Sequence, residues 1–329
     1  MIVSVIGLGY IGLPTAAVLA SKNTKVVGVD INNEIVNKIN NGEPHIIEPD
    51  LKHLVKEAID NKKLRATTDY EKADIFIISV PTPFIENHKP DTSFVRAAVE
   101  GIAPLIQKGN LIIIESTCPV GTTEEMIILI RSLRPDLLFP DEEGKKNDIS
   151  IAYCPERVLP GNIVQEIVGN DRIIGGATPR CAKKANELYK IFVKGSCFLT
   201  DSKTAELCKL AENSFRDINI AFANELSIIS DKAGINIWEL INLANKHPRV
   251  NILQPGPGVG GHCIAVDPWF IVDSFPDESK LIKTSRDVNN AKTSFVIKKI
   301  KQAINNSSKS INKLSIACLG LSFKPDIDD

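Results

Sequence analysis

The feature that most constrains this chain lies near its N-terminus. A β-branched run, Ile2–Ile6, meets Gly7-Leu8-Gly9-Tyr10-Ile11-Gly12, and a helix-compatible stretch, Pro14–Ser21, follows at once. The next apolar run, Lys25–Asp30, ends on an acidic residue. Each part has a physical task. Gly7 permits a tight turn, Gly9 lets the backbone approach a pyrophosphate, and Gly12 allows close packing of helix on strand. The helix N-terminus supplies unpaired N–H groups and the positive end of the dipole. Asp30 accepts hydrogen bonds from ribose hydroxyls and repels a 2′-phosphate, which favours NAD over NADP. Glycine-rich turns also serve plain strand–helix packing. Strand, glycines, helix and acid in register predict dinucleotide binding.

The pattern repeats along the first 200 residues. Further strand candidates are Ile75–Val80, Leu111–Glu115, Ile149–Tyr153, Arg172–Gly175 and Cys197–Thr200. Helical patterns over Asn33–Asn40, Leu51–Asn61, Ser93–Ile106, Thr122–Leu133 and Pro179–Phe192 separate them. Such alternation predicts an α/β fold, a Rossmann-like, doubly wound parallel sheet with helices on both faces. The loops Ser79-Val80-Pro81-Thr82-Pro83 and Glu115-Ser116-Thr117-Cys118-Pro119 fall where strand ends deliver ligand-binding residues. From Asp201 to about Ala233 no Pro or Gly interrupts the chain. That predicts one connecting helix about 45 Å long. Helices at Ile237–Lys246 and Asn289–Asn305 extend it into a central all-helical domain. Leu314–Leu319 reads as a buried strand opening a second Rossmann-like unit. The expected domains are therefore 1–200, NAD-binding; 201–308, helical; and 309–329, the beginning of a truncated C-terminal domain.

Composition narrows the partners. Across 329 residues the net charge is −1, so no global basic field invites nucleic acid or an anionic membrane surface. Seven scattered cysteines form no Cys-x-x-Cys pair, disulfide framework or metal-ligand spacing, and no metal is expected. No apolar run reaches the ~18–20 residues of a membrane helix, and the N-terminus has no basic leader. A cytoplasmic protein is expected.

Three segments carry candidate chemistry. Cys154-Pro155-Glu156-Arg157-Val158 follows a strand. On the long helix Lys209, Asn213 and Arg216 fall at i, i+4 and i+7, one polar stripe that is either a solvated face or a buried site. Finally, Gly256-Pro257-Gly258-Val259-Gly260-Gly261 leads directly into His262-Cys263. A cysteine is commonly a small core residue. One placed after so glycine-rich a loop is equally a candidate nucleophile.

The ordered set Gly7–Gly12, Ser116-Thr117, Pro155-Glu156-Arg157, Lys209-x-x-x-Asn213, Gly260-Gly261-His262-Cys263 and Gly320-Leu321-Ser322-Phe323-Lys324 resembles the UDP-glucose/GDP-mannose dehydrogenase family across the whole chain. Within the family, residues 262–270 are most similar to members that oxidise UDP-N-acetyl-D-mannosamine. UDP-N-acetylglucosamine and UDP-glucose are the alternative substrates, and a truncated, non-catalytic NAD-binding paralogue is the alternative function. The resemblance implies that two NAD and one water convert a primary alcohol of a UDP-sugar to a carboxylate. Cys263 would carry a thiohemiacetal and then a thioester. Lys209 would act as base or as a cation beside Asn213. Glu156 or Asp267 would activate the hydrolytic water, with Thr117 helping to place it. NAD would contact Gly7, Gly9, Tyr10, Ile11, Gly12, Asp30, Thr82 and Thr117. Arg157, Val158, Lys209, Asn213, Arg216, His247, Arg249, Gly260, Phe323 and Lys324 would line the sugar-nucleotide site. A homodimer through the long helix is implied as well.

Overall fold

A computed structural model describes residues 1–140, 147–307 and 314–319. The apolar runs of the first half become strands because each is too hydrophobic to leave either face in water. They are β1 Ile2–Ile6, β2 Lys25–Val29, β3 Leu64–Thr67, β4 Ile75–Ile78, β5 Leu111–Ile114, β6 Ser150–Tyr153, β7 Arg172–Gly176 and β8 Cys197–Asp201. Every residue of β4, β5 and β6 is buried. The strands form one sheet in the order β3-β2-β1-β4-β5-β6-β7-β8. The order runs outward from β1 in both directions, so the topological switch point lies between β1 and β4, where ligands bind in open α/β sheets.

Helices α1 Gly12–Ser21, α2 Asn33–Asn40, α3 Leu51–Asp60, α4 Ser93–Ile102, α5 Thr122–Leu133, α6 Ile163–Gly169 and α7 Pro179–Tyr189 cover the two faces. One core packs Leu13, Ala17, Val55, Ile167 and Tyr189 against one side of the sheet. The other packs Val99, Ile102, Met126 and Ile130 against the opposite side. Each large aliphatic side chain so buried contributes about 1.5–3 kcal/mol. Local chemistry fixes the helix starts: Asn32 accepts from the N–H groups of Glu34 and Ile35, and Thr178 caps α7 just before Pro179.

The structure departs from the sequence reading in several places. The sheet is not uniformly parallel, because β6 and β7 pair antiparallel while β7 and β8 are parallel. β3 was not expected: it is short, and its Leu-Arg-Ala-Thr alternation puts Arg65 in solvent, as suits an edge strand. The short helix α6 was also unexpected. No strand forms over 314–319, where five of the six residues are exposed. A strand needs a neighbour's hydrogen-bonding ladder, and these residues have none among the described residues.

The contacts divide the chain into two compact units, Met1–Ile85 with Pro90–Lys209, and Glu86–Lys89 with the described residues from Leu210 to 319. The division falls inside α8, Ser202–Ala233, which has the length expected from the uninterrupted run. The second unit adds α9 Ile237–Ala244, α10 Asp267–Ser274 and α11 Lys280–Asn305. Helix α10 went unanticipated, and α11 begins nine residues before Asn289. In this unit polar bonds tie α8 to α11: Asp217 to Arg286 and Asn289, Asn224 to Asn289, Ser227 to Lys292, and Asp231 to Lys299. Partner numbers rise together, so the two helices run parallel. His88 of the 86–89 excursion stacks on Trp269 at 4.2 Å between ring centroids.

Candidate functional site

In the first unit the turn between β1 and α1 has the shape the glycines were expected to permit. Gly7 has φ +87°, and a Cβ there would lie 2.4 Å from the carbonyl oxygen of Ser79. A Cβ on Gly12 would lie 1.8 Å from the carbonyl oxygen of Gly7. Gly9, by contrast, faces open space, with nothing within 4 Å of the Cβ position. Two glycines are thus required by packing, and the third leaves room for a ligand. The Asp30 carboxylate closes the turn by accepting from the N–H of Leu8 at 3.0 Å and of Asn32 at 2.9 Å. Asp30 is half-buried at the strand end, as a ribose acceptor must be. This cradle fits NAD: an open approach over Gly9, a helix N-terminus behind it, and an acid at the second strand end. Tyr10 and Ile11 flank it, both half-buried.

The loops after β4 and β5 are fastened to each other. Ser116 Oγ accepts from the N–H of Val80 at 2.9 Å and donates to its carbonyl at 2.7 Å. This bond fixes the loops that carry Thr82 and Thr117, both partly exposed. A second anchor comes from α8. Glu206, fully buried, accepts from the N–H of Gly121 at 2.6 Å, and from the N–H and hydroxyl of Thr123 at 2.8 and 2.6 Å. It caps α5 in place of any local residue. Burial pushes its carboxyl above the ordinary range, against the pull of those bonds.

Beyond β6 the segment Cys154–Val158 meets a buried cation that the sequence reading took for an ordinary strand residue. Arg172, 3% exposed at the start of β7, bonds to Glu156 through Nη2 and sits 3.6 Å from Glu115 through Nη1. Its guanidinium lies over the ring of Tyr189, 4.5 Å from the centroid. Tyr189 in turn donates to Glu115 at 3.1 Å, and Thr15 donates to the other oxygen at 3.4 Å. Burial, set against the attraction of Arg172, pushes Glu115 up to about 7. Burial also raises the Cys154 thiol to about 12, which leaves it an inert core sulfur. Arg157 bonds instead to the carbonyl of Asp171, and Val158 is half-buried beside it.

In the second unit Cys263 is exposed, in the turn that starts α10. Its carbonyl accepts from the N–H of Val266 at 3.0 Å and of Asp267 at 2.9 Å. The turn therefore fixes the backbone of this exposed residue. Asp267 is buried, and its Oδ2 accepts from Asn213 Nδ2 at 2.5 Å. The structure thus joins Asn213 to Asp267, four residues after Cys263. The glycine-rich loop before Cys263 is held from α8 and α11: Asn224 Oδ1 accepts from the N–H of Gly256 at 2.9 Å, and Thr293 donates to the Pro257 carbonyl at 3.2 Å.

The helical stripe splits in outcome. Asn213 is buried, Lys209 half-buried and Arg216 exposed, so the periodicity described only part of one buried face. His247, Arg249 and Gly260 are exposed as well. Phe323 and Lys324 lie outside the described residues. Sequence reasoning passed over Glu115, Arg172 and Glu206. A charge at the end of an otherwise apolar strand run was the signal that could have found Glu115 and Arg172, whereas Glu206 lies in a helix of mixed polarity and carried no such signal.

Comparison with known proteins agrees with this geometry. The NAD binding domain model of the UDP-glucose/GDP-mannose dehydrogenase family matches residues 1–193, and its central domain model matches residues 203–291. The chain is 58% identical to the NDP-N-acetyl-D-galactosaminuronic acid dehydrogenase of Ralstonia nicotianae, over 99% of this chain and 76% of that one. It is also 58% identical to the UDP-N-acetyl-D-mannosamine dehydrogenase of Escherichia coli K12, over 99% and 79%. Among solved structures, the UDP-N-acetyl-mannosamine dehydrogenase Cap5O of Staphylococcus aureus superposes with a TM-score of 0.87 at 43% identity, covering 100% of this chain and 76% of that one. Motif order, turn geometry and overall similarity converge: the chain belongs to the UDP-glucose/GDP-mannose dehydrogenase family and takes NAD as its cofactor.

Proposed function

We propose that this protein oxidises UDP-N-acetyl-D-mannosamine to UDP-N-acetyl-D-mannosaminuronate, a four-electron oxidation of a primary alcohol. Residues 1–200 serve as the NAD-binding domain and 201–308 as the helical one. The observation that carries the reading is the Cys263 turn, an exposed cysteine with the hydrogen-bonded Asp267–Asn213 pair at its end. Bound NAD supplies the hydride acceptor for each oxidation. Gly9 and Asp30 hold its pyrophosphate and ribose, helped by Gly7, Tyr10, Ile11, Gly12, Thr82 and Thr117.

Lys209 takes the alcohol proton or, as a cation, steadies the oxyanion that forms. The Cys263 thiolate adds to the resulting aldehyde, and the thiohemiacetal loses a second hydride to become a thioester. Keeping the intermediate covalent prevents escape of a reactive aldehyde. Water then cleaves the thioester and returns the thiol. Between the two carboxylates, Asp267 is the better base. Its orientation is fixed by Asn213, whereas Glu156 is already committed to a buried guanidinium. Arg157, Val158, Arg216, His247, Arg249, Gly260, Phe323 and Lys324 complete the proposed sugar-nucleotide site.

The equal similarity to NDP-N-acetyl-D-galactosaminuronic acid dehydrogenases supports a second reading, in which the sugar has the galacto configuration. One experiment tests both. The protein is incubated with NAD and, separately, UDP-N-acetyl-D-mannosamine, UDP-N-acetyl-D-galactosamine, UDP-N-acetylglucosamine and UDP-glucose. Two NADH per UDP-N-acetyl-D-mannosamine consumed is the expected result. One NADH per sugar would indicate a single oxidation and overturn the thioester route, and flat traces throughout would remove the assignment.

We further propose a homodimer through α8. Phe215, Phe222 and Ile229 are spaced by seven residues, one face of the helix, and are 68%, 51% and 56% exposed. Such a stripe asks for a covering partner. Sedimentation should give a dimer, and Phe222→Glu should shift it to monomer; a monomeric wild type would sink this proposal. A cytoplasmic location is proposed as well, supported by seven cysteines outside any disulfide. Among the described residues no helix is long and apolar enough to cross a membrane.

A further inference from the structure

In the second unit a line of hydrogen bonds runs from a buried ion pair to the glycine-rich loop. Asp217 Oδ1, on α8, accepts from Arg286 Nη1 and from Asn289 Nδ2 on α11, each at 2.7 Å. Asn289 Oδ1 then accepts from Asn224 Nδ2 at 2.9 Å. Asn224 Oδ1 in turn accepts from the N–H of Gly256 at 2.9 Å. All four side chains are buried, none more than 2% exposed. The two ends dictate how the amides lie. A carboxylate paired with a guanidinium only accepts, and a backbone N–H only donates. Asn289 must therefore turn its amino group to Asp217 and its oxygen to Asn224, which leaves the oxygen of Asn224 for Gly256. An ionised acid at either asparagine would set acceptor against acceptor, and an aliphatic side chain would strand a buried polar partner.

The same helix holds the far end of this loop, where Asn213 Nδ2 donates to Asp267 Oδ2 at 2.5 Å. Asn213 and Asn224 are eleven residues apart on α8, about 16 Å along the axis and within about 20° of one face. Asp217 falls within about 40° of the same line. One polar seam of α8 thus grips both ends of the strap from Gly256 to Asp267. Helix α11 adds a close approach between them: a Cβ on Gly258 would lie 2.5 Å from Thr293 Oγ1. We propose that Asn224 and Asn289 are positioning residues for the strap that carries Cys263. They fix its entry, as Asn213 and Asp267 fix its exit. Four glycines give the strap many conformations of its own, and ordering them beforehand spares that entropy when the sulfur has to meet a substrate. The consequence for turnover rests on the role proposed for Cys263.

Amide hydrogen exchange tests the anchoring without any substrate. In the wild type the Gly256 amide should be protected at least ~100-fold against a free chain, and should exchange more slowly than the amides of Gly260 and Gly261. A Gly256 amide as fast as theirs would overturn the inference, whatever any variant does. Asn224→Ala removes the acceptor and should cut the protection about tenfold or more. Asn289→Ala touches neither atom of that bond, yet it should cut the protection nearly as far. The double variant should be no worse than Asn224→Ala alone, because Asn289 acts through Asn224. Full protection in Asn289→Ala, or additive losses in the double variant, would break the line of bonds. The amide of Ile241, buried on α9, should stay protected in all three. Equal loosening at Ile241 and Gly256 would make the asparagines general supports of the unit and overturn their assignment to the strap.

Turnover ties the anchoring to the chemistry. With saturating NAD and UDP-N-acetyl-D-mannosamine, Asn289→Ala should lower kcat about tenfold or more, the scale set by small misplacements of a reacting group. The KM for NAD should not move, because Gly9 and Asp30 belong to the other unit. A loosened Gly256 amide with wild-type kcat would mean that the order of the strap does not matter to Cys263, and the inference fails. The two readings also fail separately. A wild type that oxidises none of the sugars removes the proposed function, and amide exchange alone still decides whether the asparagines hold the strap.

Discussion

Cys263→Ser is expected to fold like the wild type and to form no uronate. The side chain is exposed, so exchanging sulfur for oxygen disturbs little packing, and melting temperatures should agree. The chemistry is another matter. A thiol is substantially ionised near neutral pH when a cation or helix terminus assists it, whereas a serine hydroxyl is not. Without the adduct the aldehyde cannot be held for a second oxidation. Net NADH formation from UDP-N-acetyl-D-mannosamine should drop at least ~1,000-fold, the scale typical for loss of a catalytic nucleophile. Mass spectrometry of the reaction mixture decides the matter, with uronate absent and any product halted at the aldehyde. Uronate at the wild-type level would show that Cys263 is not the nucleophile.

The second large effect concerns the glycines of the first turn, which are not equivalent. Gly12→Ala would drive a Cβ to within 1.8 Å of the Gly7 carbonyl oxygen, and backbone cannot yield as a flexible side chain does. Overpacking of this kind costs about 3 kcal/mol or more, and the β1–α1 turn should shift with it. Calorimetry should find NAD affinity reduced by at least ~100-fold, together with a lower melting temperature. Gly9→Ala separates the two causes. Its Cβ meets nothing within 4 Å, so the fold should keep its stability while the intruding methyl obstructs the pyrophosphate. Intact NAD binding in Gly9→Ala would contradict the placement of the cofactor over this turn.

Why the turn was so readable follows from the locality of its constraints. Gly7, Gly9, Gly12 and Asp30 fall at the junctions of two strands and one helix close in sequence, where the turn itself makes most of the backbone and hydrogen-bonding demands that these residue types answer. The strands β1, β2, β4, β5 and β6 were legible for a similar reason: an apolar run bounded by turn residues has few other fates. Helix α8 announced itself by an uninterrupted run. Edge strand β3 and helices α6 and α10 were missed because they are short and their patterns ambiguous until packed. The strand expected at 314–319 shows the opposite failure, for an apolar run becomes a strand only if another strand is there to pair with it.

The first turn therefore belongs to what the sequence by itself determined, together with the alternating α/β order and the long helix. Only the tertiary structure decided the rest. It reversed β7 against β6, buried Asn213 while leaving Arg216 in solvent, and joined Asn213 to Asp267 across 54 residues. It also brought Glu115, Glu156 and Arg172 from three strand ends into one dry cluster. Local motifs are written by neighbours along the chain. The charge state of a buried acid depends on groups dozens of residues away, and folding alone brings them within reach.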